Sequence, residues 1–190
     1  MATQAFSNSL NVVAGYFGRG MLQKVLKAKS TSIPNAVAGR AGYVDTDGTW
    51  VHGPCGSKKG PAYFVFRGVN QPDVYSDGSY GSNFYERYWV SGNAQGNITC
   101  IPATGGFELQ TTEFNTAGTY TNGDMLKVDS DGKLNVSTAT LGSDPIVGFC
   151  APFTQYPENI WPAANLPPVG NNSHGIAVLN FLTAFYPKTA

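Results

Sequence analysis

Four of the 12 acidic side chains that could do chemistry lie in two stretches of the form Asp-x-Asp-Gly, at 45–48 and 129–132. An EF-type calcium loop needs oxygen ligands at alternate positions and a bidentate Glu at the twelfth position. The twelfth position, counted from the first Asp, is Gly56 in one stretch and Thr140 in the other. Both stretches therefore predict β-hairpin turns, in which Gly takes the positive φ angle and Asp bonds to the turn backbone.

The His and Cys residues are too dispersed to predict a metal centre. His52 and Cys55 have HxxC spacing, but a structural zinc site needs about four ligands. The other candidates, His174, Cys100 and Cys150, are not paired at short spacing. We expect no metal and no cofactor. Because the cysteines are odd in number and widely spaced, we expect three thiols rather than a disulfide framework.

The sequence also lacks a recognisable catalytic set. Nucleophilic catalysis needs a nucleophile, a base and an orienting group, and no GxSxG motif occurs. The stretch CGSKKG at 55–60 lacks the GK[ST] ending of a phosphate-binding loop. Glu86, Glu108 and Glu113 could serve glycoside chemistry, but most β proteins carry such carboxylates. The sequence therefore predicts a protein that is not an enzyme.

The composition is that of a globular, loop-rich chain with few charges. Aromatic residues make up 13% of the 190 residues, and charged residues also make up 13%, which is about half the usual quarter. Free soluble domains normally keep a well-charged surface, which suppresses self-association. Either the protein is an uncharged monomer made polar by Ser, Thr, Asn and Gln, or much of its surface is buried in an assembly.

Charge is unevenly distributed along the chain. Residues 1–40 contain five bases and no acid, whereas 41–190 contain the other seven bases and all 12 acids, so the two parts carry +5 and −5. A basic arm on an acidic body suggests docking to an acidic surface. The charges are too sparse for a nucleic-acid-binding tail, so no nucleic acid is expected as a partner. The five bases are Arg19, Lys24, Lys27, Lys29 and Arg40.

Short aromatic and β-branched stretches bounded by Gly, Pro, Asn or Asp follow residue 40, a pattern typical of strands. We predict a mainly β fold, an antiparallel barrel or sandwich, with 41–190 as one domain and 1–40 as a basic arm and linker. Apolar spacing predicts that the arm is partly helical, over about 20–28. The predicted strands are 41–45, 49–53, 62–69, 84–91, 97–102, 106–114, 124–129, 133–138, 145–152 and 175–185.

Two long segments, 70–83 and 154–174, interrupt the predicted strands. Loops of this length are usually functional or form contact surfaces. Their large aromatic residues are of the types that interfaces favour, and they are Tyr75, Tyr80, Tyr156 and Trp161.

Two segments of the chain look alike. YVDTDGTWVHG at 43–53 and KVDSDGKLNVS at 127–137 both read as strand, turn and strand. Either the chain contains a weak internal duplication, or two hairpins use the same favoured turn.

The stretch 117–152 contains three successive strand-like motifs, Gly-Asp-x-Leu, Gly-Lys-Leu and Pro-Ile-Val-Gly. In this order they resemble a recurring pattern in tailed-phage head proteins, among them capsid decoration (cement) proteins and related virion β-modules. The resemblance covers 36 of the 190 residues. It implies binding to the outside of a capsid lattice, without catalysis or cofactor. The matching residues are Gly123, Asp124, Leu126, Gly132, Lys133, Leu134, Pro145, Ile146, Val147 and Gly148.

We therefore expect a structural virion protein on the capsid surface that binds the major capsid protein and neighbouring copies of itself. The start MATQAFSNSL does not resemble a signal peptide. The longest apolar runs are far shorter than the roughly 20 residues of a spanning helix, so we expect synthesis in the host cytoplasm and no membrane partner. The residues predicted to contact the partner are Phe6, Phe17, Arg19, Met21, Leu22, Lys24, Lys27, Lys29, Tyr75, Tyr80, Tyr156 and Trp161.

Two alternatives remain open. The chain could be another virion component, such as a tail, fibre or minor head protein. It could also be a carbohydrate-binding β-module, with an exposed Trp50, Trp89 or Trp161 as its sugar platform.

Overall fold

The computed structural model describes residues 10–15, 24–56, 60–67, 96–138, 140–153, 166–171 and 175–189. Within them the chain forms twelve strands and one 3-10 helix, Ser30–Asn35. The strands are β1 Leu10–Gly15, β2 Lys24–Lys27, β3 Ala41–Val44, β4 Trp50–His52, β5 Tyr63–Arg67, β6 Asn97–Pro102, β7 Phe107–Thr111, β8 Met125–Val128, β9 Leu134–Val136, β10 Ile146–Cys150, β11 Val169–Asn171 and β12 Ala177–Tyr186.

The strands form two antiparallel sheets, which confirms the predicted mainly β fold class. The larger sheet has the order β1-β7-β12-β10-β8-β9, with β11 added beside β12, and the smaller has the order β2-β6-β5-β3-β4. Strand β7 shows why the sequence forms such sheets. Phe107, Leu109 and Thr111 are buried while Glu108 and Gln110 are partly exposed, the alternation of a strand with one face on a core.

The two sheets repeat one five-stranded unit. We call β2 to β6 (24–102) the first unit, and β7 to β10 together with β12 (107–186) the second unit. Counting strands from one to five within each unit gives the same spatial order, 1-5-4-2-3. In both units the segment that follows the first strand pairs with the third strand. Ala28 forms a parallel bridge with Trp50 in the first unit, and Phe114 forms one with Leu134 in the second. Because each bridge joins the two outermost strands of its unit, both units curl.

The two Asp-x-Asp-Gly stretches connect the second and third strands of the units, β3 to β4 and β8 to β9. Their backbone bonds match: Asp45 N donates to Thr49 O at 2.8 Å, and Asp129 N donates to Lys133 O at 2.9 Å. The Gly of each turn has a φ of 81° or 84°, a conformation that favours glycine. Both stretches are hairpins, as predicted. Their identical place in a repeated topology favours internal duplication over coincidence.

The larger apolar cluster lies between the two sheets. It combines Phe64 and Ile101 from the first unit with Leu109, Leu179 and Phe181 from the second. The rings of Phe64 and Phe181 are 5.2 Å apart between centroids and tilted by 50°. This cluster therefore holds the two units together as a sandwich.

A second apolar cluster fills the curl of the smaller sheet, on its opposite face. It includes Trp50, Val65 and Ile98 from three strands of the first unit. Ala36 belongs to the same cluster, and Ile33 in the 3-10 helix packs against it. The smaller sheet thus buries apolar residues on both of its faces.

The described part of residues 1–40 takes part in both sheets, because β1 pairs with β7 and β2 pairs with β6. The helix predicted over about 20–28 is wrong in its described part. Lys24–Lys27 is a strand in which only Leu26 is buried, so the period is that of a strand. The helix that the structure describes in 1–40 is the 3-10 helix, which lies in the predicted linker. The division into an arm and a domain at residue 40 stays a prediction.

Nine of the ten predicted strands correspond to observed strands, and the tenth, 84–91, lies outside the described residues. The sequence pattern does not predict β1, β2 or β11. Strand β11 lies within the predicted loop 154–174, while the loop 70–83 lies outside the described residues. Within the described part of the chain, no helix is long and apolar enough to span a membrane.

Candidate partner-binding surfaces

Three of the predicted contact residues lie in the described part of the chain, Lys24 and Lys27 on β2 and Lys29 shortly after it. The other nine lie outside the described residues, and they are Phe6, Phe17, Arg19, Met21, Leu22, Tyr75, Tyr80, Tyr156 and Trp161.

Strand β2 forms an outer edge of the smaller sheet and presents an exposed basic face. Among the described residues, β2 pairs only with β6. Leu26 points into the apolar cluster, so Val25 and Lys27 lie on the opposite face. Val25 is 53% exposed and Lys27 is also exposed. Lys24 is exposed, but it lies on the Leu26 side, with its Nζ 5.6 Å from the centre of the Tyr63 ring. The strand therefore separates the two lysines onto different faces.

Lys29 forms ion pairs with the first hairpin. Its Nζ lies 2.8 Å from Asp45 Oδ2 and 3.6 Å from Asp47 Oδ2. The hydrogen bond to Asp45 and the charges of both carboxylates raise the pKa of Lys29. Lys29 therefore stabilises the turn that follows β3.

Arg40, another base of the N-terminal segment, joins the two units. Its Nε donates to Glu113 Oε2 at 2.9 Å, and its Nη1 donates to Asn35 Oδ1. The side chains of Arg40 and Glu113 are only 18% and 7% exposed. Thr111 Oγ1 also donates to Gly39 O, at 3.3 Å. The positive charge of Arg40 is thus part of the contact between units.

The hairpin carboxylates bond to their own turns. Asp47 Oδ1 accepts hydrogen bonds from the backbone N and the Oγ1 of Thr49, at 2.9 and 2.6 Å, and these bonds lower the pKa of Asp47. In the second hairpin it is Asp129 Oδ1 that accepts from the backbone N of Asp131 and Lys133, both at 2.9 Å. In the described part of the chain, no three His, Cys, Asp or Glu side chains are grouped so that they could hold a metal ion.

The three cysteines are buried thiols at separate places. Burial raises the pKa of Cys100 far above its usual range, and it raises the pKa of Cys150 to about 12. Thiols of this kind stay protonated and unreactive. In the HxxC stretch, His52 Nδ1 lies 3.0 Å from Ser32 Oγ, and Cys55 Sγ donates to Gly60 O at 3.0 Å.

Among the described residues, the candidates for sugar chemistry have other partners and do not form a site. Trp50 is completely buried, with its Nε1 donating to Tyr63 O at 3.4 Å, so the prediction that it forms an exposed platform is wrong. Glu108 Oε1 accepts a hydrogen bond from Asn180 at 2.7 Å, whereas Glu113 is bound to Arg40. Trp89, Trp161 and Glu86 lie outside the described residues.

An apolar row crosses the outer face of the second unit. Phe149 on β10 lies directly opposite Met125 on β8 and Leu182 on β12, so the three side chains share one face. Leu182 is 50% exposed and Tyr186 is 45% exposed. The Tyr186 ring packs edge-on against Phe149, with 5.9 Å between centroids. We call Met125, Phe149 and Leu182 the outer row of the second unit.

The first unit has a matching row. Phe64 on β5 lies opposite Ala41 on β3 and Ile101 on β6, the same strands of the unit as in the outer row. These three residues are 0 to 4% exposed, because they face the second unit in the cluster between the sheets. Met125 and Phe149 are half-buried and Leu182 is exposed. The same structural position is therefore an internal interface in one unit and a partly exposed face in the other.

Sequence reasoning missed the outer row, although two signals point to it. One is the similarity of 43–53 and 127–137, which implies matched neighbouring strands. The other is the stretch 177–186, whose apolar residues fall on both faces of a strand.

Comparison with known proteins adds no relative. No protein-family model, curated protein or solved structure matches the chain.

Proposed function

We propose that the protein is a decoration (cement) protein that binds the outside of a viral capsid, with the major capsid protein as its partner and no catalytic role. The observation that carries this proposal is the place of the stretch 117–152, which resembles phage head proteins. Its three motifs coincide with β8, β9 and β10, which are neighbours in the larger sheet. The resemblance thus covers a contiguous three-stranded module rather than scattered positions.

The exposed edge of the first unit is the docking surface in this proposal. An edge strand offers backbone N–H and C=O groups to an added strand, a common mode of peptide recognition. Lys27 beside Val25 would steer an acidic capsid surface towards this edge. Because exposed ion pairs contribute only about 0–1 kcal/mol, the backbone bonds and Val25 would supply most of the affinity. Lysine on an edge also discourages indiscriminate strand pairing.

The surroundings of the acidic groups support a non-catalytic role. Glu113 is bound to Arg40, Glu108 accepts from Asn180, and Asp47 and Asp129 accept from their own turns. These bonds stabilise the fold. In the part of the chain that the structure describes, the exposed edge and the outer row are surfaces suited to binding.

Co-sedimentation with capsids tests the proposal. The purified protein should sediment stoichiometrically with capsids that lack it. Lys27→Glu should lower occupancy and its dependence on salt, whereas Lys188→Glu, an equal charge change at an exposed C-terminal position, should have little effect. Deleting residues 1–30 is not a clean test, because it removes β1 and β2 from the sheets. Failure to sediment with any capsid, or equal effects of the two variants, would contradict the proposal.

A further inference from the structure

We propose that the outer row of the second unit, together with Tyr186, binds the same surface of a second copy of the chain. The predicted homodimer packs the larger sheet of one copy face to face on the larger sheet of the other. This inference does not depend on the capsid proposal, since it concerns the purified protein alone.

The fold itself shows what this position is suited to contact. The matching row of the first unit, Ala41, Phe64 and Ile101, is buried against another β-sheet. Phe64 and Phe149 occupy the same strand and the same register, opposite the second and fifth strands of their units. Phe64 contacts Phe181 of the neighbouring unit, while Phe149 contacts only Tyr186 among the described aromatic rings. A duplicated unit has thus kept an apolar interface position that is buried in the first unit and partly exposed in the second.

A second copy in a two-fold arrangement is the occupant that the structure favours. In a head-to-tail arrangement, the outer row would pack against the first unit of the next copy. This would repeat between copies the contact that Phe64 makes with the second unit within one copy. The apolar interior of the first unit, however, is already covered by Ile33 and Ala36. Among the described residues, the other exposed large apolar side chains are Val25, which lies opposite Thr99, and Leu141, which lies opposite Asp144. Neither continues into an apolar row, so the outer row itself is the described surface that can match it, and a self-complementary patch gives a closed dimer.

The charges beside the row are complementary under such a two-fold axis. On the β8 side, Lys127 Nζ lies 2.9 Å from Asp144 Oδ2, and Lys188 also acts on Asp144 and lowers its pKa. Two lysines and one aspartate leave one positive charge there. On the β7 side, Glu108 lies directly opposite Leu182. A two-fold axis that crosses the row parallel to the strands brings the basic β8 side of one copy to the acidic β7 side of the other, which favours this orientation.

Four apolar side chains are a small interface. Stable complexes bury about 800 Å² on each partner, so the dimer should be weak and should depend on concentration. On a surface that holds many copies close together, a weak contact of this kind still acts, because the effective concentration is high.

Sedimentation velocity over a range of protein concentrations tests the proposal. The wild-type protein should shift from monomer to dimer as the concentration rises. Leu182→Asp should lower the association constant about tenfold or more, because it places a carboxylate in the apolar contact. Thr46→Asp is the control, since Thr46 is exposed in the turn between β3 and β4 of the smaller sheet, and it should leave the association unchanged.

A second variant keeps the test decisive if Leu182→Asp does not fold. Tyr186→Ser removes a ring that is 45% exposed, so it should fold normally and weaken the dimer about threefold. A wild-type protein that stays monomeric at all concentrations would overturn the proposal. So would a dimer that Leu182→Asp and Thr46→Asp weaken equally, or one that folded Tyr186→Ser leaves unchanged.

Discussion

The first and second units share one strand order, yet the matched row is buried in the first unit and partly exposed in the second. Ala41, Phe64 and Ile101 are at most 4% exposed, whereas Leu182 in the second unit is 50% exposed. The strands and registers are the same, so the difference comes from the neighbour: the first unit has the second one against its row. Exposure at this position is therefore a property of assembly rather than of the unit. This is why we regard the uncovered row as a binding surface.

The two units also fill their interiors with different residues. In the first unit Gly42 lies beside Trp50, and a Cβ on Gly42 would be 2.7 Å from Trp50 Cε2. The residues at the equivalent strand positions of the second unit are Leu126 and Leu134, and both are completely buried. A large and a small residue in one unit thus correspond to two medium residues in the other, which preserves the packed volume.

The largest expected difference between the units is at the two matched phenylalanines. Phe64→Ala removes a ring between the sheets and should lower the free energy of unfolding by about 3–5 kcal/mol. Phe149→Ala should cost much less, about 1 kcal/mol, because its surroundings are partly solvent. Urea unfolding of both variants measures the difference. Equal losses would mean that the two rows are not in different environments.

The contact between units should also depend strongly on its buried ion pair. Glu113→Gln leaves the Arg40 guanidinium with its charge uncompensated and should cost about 3 kcal/mol. Lys127→Gln breaks the more exposed pair with Asp144 and should cost about 0–1 kcal/mol. Thermal unfolding of the two variants, followed by calorimetry, compares their stabilities. The assignment of Arg40 to the contact fails if the two variants melt at the same temperature.

The interior of the first unit should not tolerate a methyl group at Gly42. Gly42→Ala would force its Cβ against Trp50 and the Val51 carbonyl and should cost about 1–3 kcal/mol. Gly60→Ala is the control, because nothing lies within 4 Å of its added Cβ, and its effect should be within about 0.5 kcal/mol. Chemical unfolding of both variants checks this, and a harmless Gly42→Ala would show that the curl can relax.

The smallest expected effect is on the pKa of Asp47, in the first of the two hairpins. Hydrogen bonds from Thr49 lower the pKa of Asp47, and Lys133 at the matching position has no hydroxyl group to donate. A lowered pKa in the folded state adds stability above the unfolded value of about 3.9, and this contribution disappears as the pH falls through the folded value. Thr49→Val should therefore raise the pKa of Asp47 towards its usual range. An NMR titration that finds no change would remove this role of Thr49.

Local patterns in the sequence predict most of the fold but little of the surface. Aromatic and β-branched runs predict nine strands, and the Asp-Gly turns predict both hairpins. Strand β2 is not predicted because its four residues, Lys24–Lys27, form a strand through pairing with β6 rather than through their own sequence pattern. Lys29 and Arg40 are two of the five bases of residues 1–40, and the sequence does not show that Asp45 and Glu113, which are distant along the chain, pair with them. The outer row is not predicted because its exposure depends on whether another sheet packs against it.

Hydroxyl-radical footprinting of the two rows in one dilute, monomeric sample tests the central claim most directly. The oxidation rates of Phe64 and Phe149 are read by mass spectrometry from the same digest, with Ile101 and Leu182 as the second matched pair. We predict that Phe149 and Leu182 are oxidised much faster than Phe64 and Ile101, and that raising the protein concentration protects only the former pair. Equal protection of both rows in the dilute monomer would contradict the account.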